Sequence, residues 1–351
     1  MTPRPGPAGR EPAERRRRRR PHPPAPGGAP RPEDDVARGP YARHAPSPPA
    51  PTGTGTDGVE RTVHLDDERF LCVRTDGPRD GRPVVLITGL GFDLTTWPEA
   101  FVDALASHGH RVLRVDNRDT GRSFRATSAP PTARQLLSGY LPAGQYTVED
   151  MADDVADALA VLGVARADVL GFSLGGMIAQ ALAAHHPERV RRLVSLCSTT
   201  GDPSVGSVAA STAAMLALPG ARTRRLYVRS RMVMSRHLAG PGFPVDPGYE
   251  RHLAQTHWRR SLDPRHEASA MRRQIGAIRA SGDRTPQLRS ITAPTLVLHG
   301  DRDRIVRPDG GPATARAIPG SRFETVPGMG HQVHPLVVPR LLELVLPHLA
   351  P

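Results

Sequence analysis

Val169-Leu170-Gly171-Phe172-Ser173-Leu174-Gly175-Gly176-Met177 sets a serine between glycines at the end of an apolar run. The run ADVLGF before it reads as a buried strand, and GGMIAQALAAHHP after it reads as a largely buried helix ended by Pro187. A strand that turns sharply into a helix brings the residues two before and two after the turn so close together that only small side chains fit. Gly171 and Gly175 occupy those two places. Ser173 is therefore expected at the tip of a strained strand-to-helix turn, above the carboxyl ends of the strands. The Leu174 amide, at the helix N-terminus, is expected to donate a hydrogen bond to an oxyanion.

A serine hydroxyl is too weakly acidic to attack unaided, so a histidine base and a carboxylate to hold it are required. Both follow in the chain. PTLVLHG, a buried strand, runs into Asp301-Arg302-Asp303, and the next strand, SRFETVP, runs into Gly328-Met329-Gly330-His331. Asp303 is preferred as the acid over Asp301, which stands nearer the strand end, and over Asp202. His331 is preferred as the base over His334, three residues further from the Gly-Met-Gly turn. A second oxyanion donor is expected from the loop after the strand PVVLIT, where Gly89-Leu90-Gly91 offers the Leu90 amide.

Outward from these motifs the chain alternates strands and helices. VERTVHL and ERFLCVRT are short strand candidates, and PVVLITGL is a continuous apolar run of the kind buried on both faces of a sheet. Trp97 to Gly109 reads as a helix and HRVLRVD as a strand. The helix between Thr147 and Gly163 carries Met151, Val155, Leu159 and Leu162 at helical spacing, with Thr147 and Asp150 as a capping pair. RVRRLVSLC is another strand. After a break, the rhythm resumes with a helix near Gly311 to Ile318 and a closing helix near Val338 to Leu346. This alternation implies an α/β fold with a mostly parallel sheet and helices on both faces. The expected organisation is a Pro- and Arg-rich disordered tail (1–57), a core in two parts (58–199 and 291–351) and an inserted helical cap (200–290).

The 351 residues contain no lysine, so all 47 basic side chains are arginine, and the formal net charge is +12. The charge is uneven. Residues 1–57 carry 11 Arg against 6 acids and residues 221–290 carry 15 against 5, while the remainder is slightly acidic. The tail holds 15 of the 38 prolines and too few bulky apolar side chains to offset the entropy of ordering. Its run Arg15 to Arg20 lacks groove-reading chemistry and is read as a solvated tail, so no nucleic-acid partner is expected. A proline-rich stretch follows that run where a signal peptide has an apolar region, and no segment is apolar enough to span a bilayer, so a cytoplasmic protein without a membrane partner is expected. Cys72 and Cys197, both in apolar strands, read as buried free thiols. The oligomeric state is not legible.

Ser173, Asp303 and His331, in that order and each following a strand, resemble the serine hydrolases of the α/β-hydrolase superfamily across roughly residues 58–351. Asp116-Asn117-Arg118-Asp119-Thr120-Gly121-Arg122-Ser123, SGDRTPQLRSITAPTLVLHGDRD and PGMGH look like the subgroup that includes the aclacinomycin methylesterases. The resemblance implies that Ser173, Asp303 and His331 form a catalytic triad, with the Leu90 and Leu174 amides as oxyanion hole. It also implies an ester substrate of small-molecule size and no cofactor or metal. Thr88, Phe172 and Arg304 depart from residues common at those places in the superfamily, and Phe172, with Trp258 of the cap, is expected to line the substrate pocket. The same triad also serves perhydrolases, lactonases and acyltransferases, and a non-enzymatic binding protein on a hydrolase scaffold is the reading from another class.

Overall fold

The computed structural model describes residues 1–2, 58–216, 218 and 220–350; the expectation for the tail falls almost wholly outside them. Eight strands form one sheet among the described residues: β1 (Val59–His64), β2 (Phe70–Asp76), β3 (Arg82–Ile87), β4 (His110–Val115), β5 (Ala167–Phe172), β6 (Val190–Leu196), β7 (Thr295–Gly300) and β8 (Arg322–Val326). Their order is β1-β2-β4-β3-β5-β6-β7-β8. The first two pairings, β1 with β2 and β2 with β4, are antiparallel and the other five parallel.

The helices, in chain order, are α1 (Glu99–Ser107), α2 (Ala133–Ser138), α3 (Val148–Val161), α4 (Leu174–His185), α5 (Ala210–Leu216), α6 (Arg224–Leu238), α7 (Pro247–Arg260), α8 (Glu267–Ser281), α9 (Thr285–Leu288), α10 (Gly310–Ala317) and α11 (Val338–Leu349). Local sequence explains several boundaries. The capping pair forms as expected at α3: Thr147 accepts from the Asp150 amide, and Asp150 accepts from the Thr147 amide. The closing helix runs three residues past the expected Leu346, through Pro347, to Leu349.

Two apolar layers sandwich the sheet. On one side Val85, Ile87 and Val169 pack against Met151, Val155 and Leu159 of α3 and Ile178 and Leu182 of α4. On the other, Val84, Leu86, Leu170 and Leu296 pack against Phe101 and Leu105 of α1 and Leu341 and Val345 of α11. Strands β3, β5 and β7 are covered on both faces, which is why their sequences are apolar without alternation. Cys72 and Cys197 are both buried and free, and no helix among the described residues is long and apolar enough to cross a membrane.

Helices α5 to α9 lie between β6 and β7. This insertion is fastened to the sheet by buried charge as well as apolar packing. Arg260, at the end of α7, donates to Asp116 (2.8 Å), to Asp93 (3.2 Å) and to Glu60. Arg273, on α8, pairs with Asp119, which also accepts from the Tyr146 hydroxyl at 2.8 Å and the Ala126 amide at 3.2 Å. Burial, with Asp93 alongside, pushes Asp116 up to about 7 against the pull of Arg260. Burial also acts on Asp93, but His257 and Arg260 outweigh it and hold that carboxyl low. One guanidinium thus offsets two carboxylates in a dry site, Asp93 and Asp116, and meets a third at its edge, Glu60, which Arg122 also reaches at 2.7 Å.

Removing the cation would leave Asp116 without a cationic partner, Asp93 with His257 alone and Glu60 with Arg122. Arg260→Met is expected to lower the stability at pH 8 by about 3–5 kcal/mol. In the variant the carboxyls take up protons more readily folded than unfolded, so stability is gained as pH falls and lost as it rises. Urea unfolding at pH 5 and pH 8 checks this: the gap from the parent protein should narrow at pH 5, and an equal gap at both values would contradict it.

Candidate active site

Ser173 ends the β5–α4 turn at φ 57°, ψ −120°, a backbone conformation costly for a residue with a side chain. The glycines make this possible. A Cβ on Gly171 would lie 2.0 Å from the carbonyl oxygen of Gly175, and one on Gly175 would lie 2.2 Å from that of Ile87. The turn is thus packed directly on the end of β3. The Ser173 amide donates to Leu196 of β6 at 2.8 Å, which anchors it on the other side.

Asp303 and His331 are brought to this serine by the loops that follow β7 and β8. Ser173 Oγ lies 2.9 Å from His331 Nε2, and His331 Nδ1 lies 2.7 Å from Asp303 Oδ2. A carboxylate can only accept, so Nδ1 carries the proton and Nε2 is left to accept from the serine hydroxyl. The other Asp303 oxygen accepts from the Ile305 and Val306 amides at 2.8 and 2.9 Å. Burial pushes Asp303 up, but the neighbouring His331 and His299 outweigh it and hold its carboxyl well below the usual carboxylate range. All three side chains are buried. The arrangement can take a proton from the serine, hold it on an imidazole and stabilise the resulting cation.

The rival residues have other partners. Asp301 accepts from the Gly328 amide at 2.7 Å and so fastens the loop that carries His331. Asp202 is half-buried and accepts from the amide and hydroxyl of Ser204. His334 has its Nε2 3.3 Å from the Asp246 amide and its Nδ1 3.3 Å from the Leu336 amide, of which a neutral imidazole accepts only one, and it stacks edge-on with Tyr249. Cys197, Asp303 and His331 have ligand atoms within 4.8 Å of one another. Burial, then Asp303 beside it, push the Cys197 thiol well up.

The loop after β3 lies beside the serine: a Cβ on Gly89 would come 3.1 Å from the Ser173 Cβ. Leu90 follows in that loop, and Leu174 heads α4, where a helix leaves its first amides without intrahelical acceptors. Thr88 turns its hydroxyl to the Phe92 carbonyl at 2.8 Å, and Asn117 donates to the Thr88 carbonyl at 3.0 Å. Phe172 is buried with its ring 4.8 Å from the His331 ring. Trp258 packs on Tyr227 within the insertion, their ring centroids 5.4 Å apart. Arg304 reaches the His237 carbonyl at 3.3 Å.

Sequence reasoning missed the polar side chains that the insertion sends to this region: Arg260, Arg273 and Gln274. Each sits on a helix with no local motif. The signal that could have found them is the acid-rich DNRDTGRS stretch, whose buried Asp116 and Asp119 require cations from elsewhere in the chain.

Residues 82–336 match the family model described as alpha/beta hydrolase fold. Rhodomycin D methylesterase DauP of Streptomyces sp. (strain C5) is 30% identical over 300 residues, spanning 79% of this chain and 93% of that protein. Among solved structures, a hydrolase from Pseudomonas aeruginosa PA01 is similar with a TM-score of 0.62 at 26% identity, covering 84% of this chain and 100% of the other. The enol-lactonase from Burkholderia xenovorans LB400 is similar with a TM-score of 0.60 at 25% identity, covering 81% and 97%. With the sheet order and the glycine-flanked serine turn, these matches make the chain a member of the α/β-hydrolase family.

Proposed function

We propose that this hydrolase cleaves a carboxylic ester through an acyl-enzyme. The observation that carries the reading is the unbroken hydrogen-bonded relay from Ser173 through His331 to Asp303. Ser173 Oγ attacks the ester carbonyl carbon while His331 Nε2 takes its proton, and the carbonyl oxygen becomes an oxyanion held by the Leu90 and Leu174 amides. His331 then protonates the leaving alcohol as the C–O bond breaks. Water, deprotonated by the same imidazole, releases the acid and restores the serine. Asp303 keeps the imidazole in the tautomer that accepts from serine.

The substrate class that fits best is a methyl ester of a polyketide-like or other small apolar acid. Similarity to a methylesterase over most of both chains supports it, as does Phe172, an apolar ring packed against the base. Trp258 is proposed to border the pocket from the insertion, through Tyr227, whose neighbour Arg231 lies 4.0 Å over the ring of Phe92 in the loop after β3. Similarity to an enol-lactonase supports a second reading, lactone opening, which is the same chemistry with the leaving group tethered.

Ser173→Ala should abolish labelling by a fluorophosphonate probe and lower kcat on p-nitrophenyl esters by about 10⁴-fold or more, with the melting temperature kept. Ester turnover unchanged by that substitution would rule the mechanism out. Asp303→Asn should cost about 10²–10⁴-fold, since the amide can favour the wrong tautomer. Because the Asp303 carboxyl is held so low, it stays ionised across the working range. The acid limb of kcat/KM should therefore fall with a slope of one proton; a slope of two would mean that Asp303 titrates as well. Comparing methyl esters with lactones of equal size distinguishes the two substrate readings.

A further inference from the structure

The oxyanion loop is held from the insertion. Gln274, on α8, is fully buried, and its amide is used at both ends: Oε1 accepts from the Gly91 amide at 2.9 Å, and Nε2 donates to the Arg118 carbonyl at 2.9 Å. The partners fix the orientation of that amide, since Gly91 can only donate there and Arg118 can only accept. Met271, one turn earlier on the same face of α8, has its Sδ 3.5 Å from where a Cβ on Gly91 would stand.

Gly91 is a position that needs such a tether. It sits at φ +64°, has no side chain, and follows directly on Leu90, whose amide is the proposed oxyanion donor. A glycine there gives the loop access to backbone conformations closed to other residues, so packing of its own side chain cannot hold it. The loop is instead held by its neighbours. Asn117 donates to the Thr88 carbonyl on one side, the Phe92 amide donates to the Gly89 carbonyl at 3.2 Å within the turn, and Gln274 takes the Gly91 amide on the other side. Since Gln274 also grips Arg118, and the adjacent Arg273 grips Asp119, helix α8, the DNRDTGRS loop and the oxyanion loop form one polar assembly.

We propose that Gln274 is a positioning residue of the oxyanion hole: docked with α8, it aims the Leu90 amide at the developing oxyanion. It touches neither the substrate nor the relay, so its effect passes through Gly91. This inference rests on the acyl-enzyme reading above. It makes the hole complete only while α8 is seated, and thereby couples the insertion to the chemical step as well as to substrate choice.

The test uses the full chain carrying Gln274→Met, which keeps the volume and removes both hydrogen bonds, with Gln274→Leu as a second variant should Met not fold. Three quantities are read: kcat and KM on p-nitrophenyl butyrate, inhibition by an alkyl trifluoromethyl ketone, and the melting temperature. The ketone accepts Ser173 Oγ at its carbonyl carbon, the serine proton passes to His331, and the carbonyl electron pair becomes an oxyanion in the hole, so its affinity reports that geometry. The expected result is a fall in kcat of about 10–100-fold with KM within about threefold, and a matching rise in the inhibition constant of the ketone. An unchanged inhibition constant in a folded variant would overturn the proposal, whether or not the melting temperature falls. If the parent protein itself neither binds the ketone nor reacts with a fluorophosphonate, the acyl-enzyme reading fails instead.

Discussion

A serine carrying a side chain at φ 57° is held in a conformation that its own energetics oppose, and much of the functional architecture serves to keep it there. The β5–α4 turn presses on the carbonyl of Ile87 at the end of β3, while the Ser173 amide is tied to Leu196 of β6. Strands β3, β5 and β6 are adjacent in the sheet, so the turn is clamped from both sides by a parallel ladder that cannot shift register without exposing its apolar faces. The same close approach brings the loop after β3 against the serine. Strain at one residue and proximity of the proposed oxyanion donor are consequences of a single packing arrangement.

The acid and the base are placed by similar means. A Cβ on Gly300, at the end of β7, would lie 2.3 Å from the Met329 carbonyl, so the two loops run back to back as they leave neighbouring strands. Asp301 pins the second loop through Gly328, and Asp303 is braced by two amides of its own loop. The two aspartates have divided the work: one shapes the loop that carries the histidine, the other meets the imidazole. Their sequence spacing alone made them competitors; their backbone contacts separate them.

What could be read from the sequence was what local periodicity and turn chemistry encode. The apolar run PVVLIT, the Thr147–Asp150 cap and the glycines around Ser173 each express a constraint within a few residues, and each led to the element observed. The helix α2 and the position of β4 between β2 and β3 went unread, the first because Ala133–Ser138 buries no residue and so has no apolar stripe. Arg260 and Gln274 were illegible for another reason. A polar residue on a helix ordinarily faces water, and only the partners 144 and 183 residues away in the chain turn these two inward.

The excess of arginine in the insertion takes on a different meaning once its partners are known. Arg260 and Arg273 are counter-ions for acids that belong to the first half of the chain, so neither half is electrostatically complete alone. The segment between β6 and β7 is consequently poor material for exchange among relatives. Transplanted to a core without acids at the places of Asp93, Asp116 and Asp119, it would bring buried guanidinium groups with nothing to neutralise them. A foreign segment placed on this core would strand the carboxylates instead. Specificity in this chain can then diversify by changing side chains within the insertion far more readily than by replacing the insertion itself.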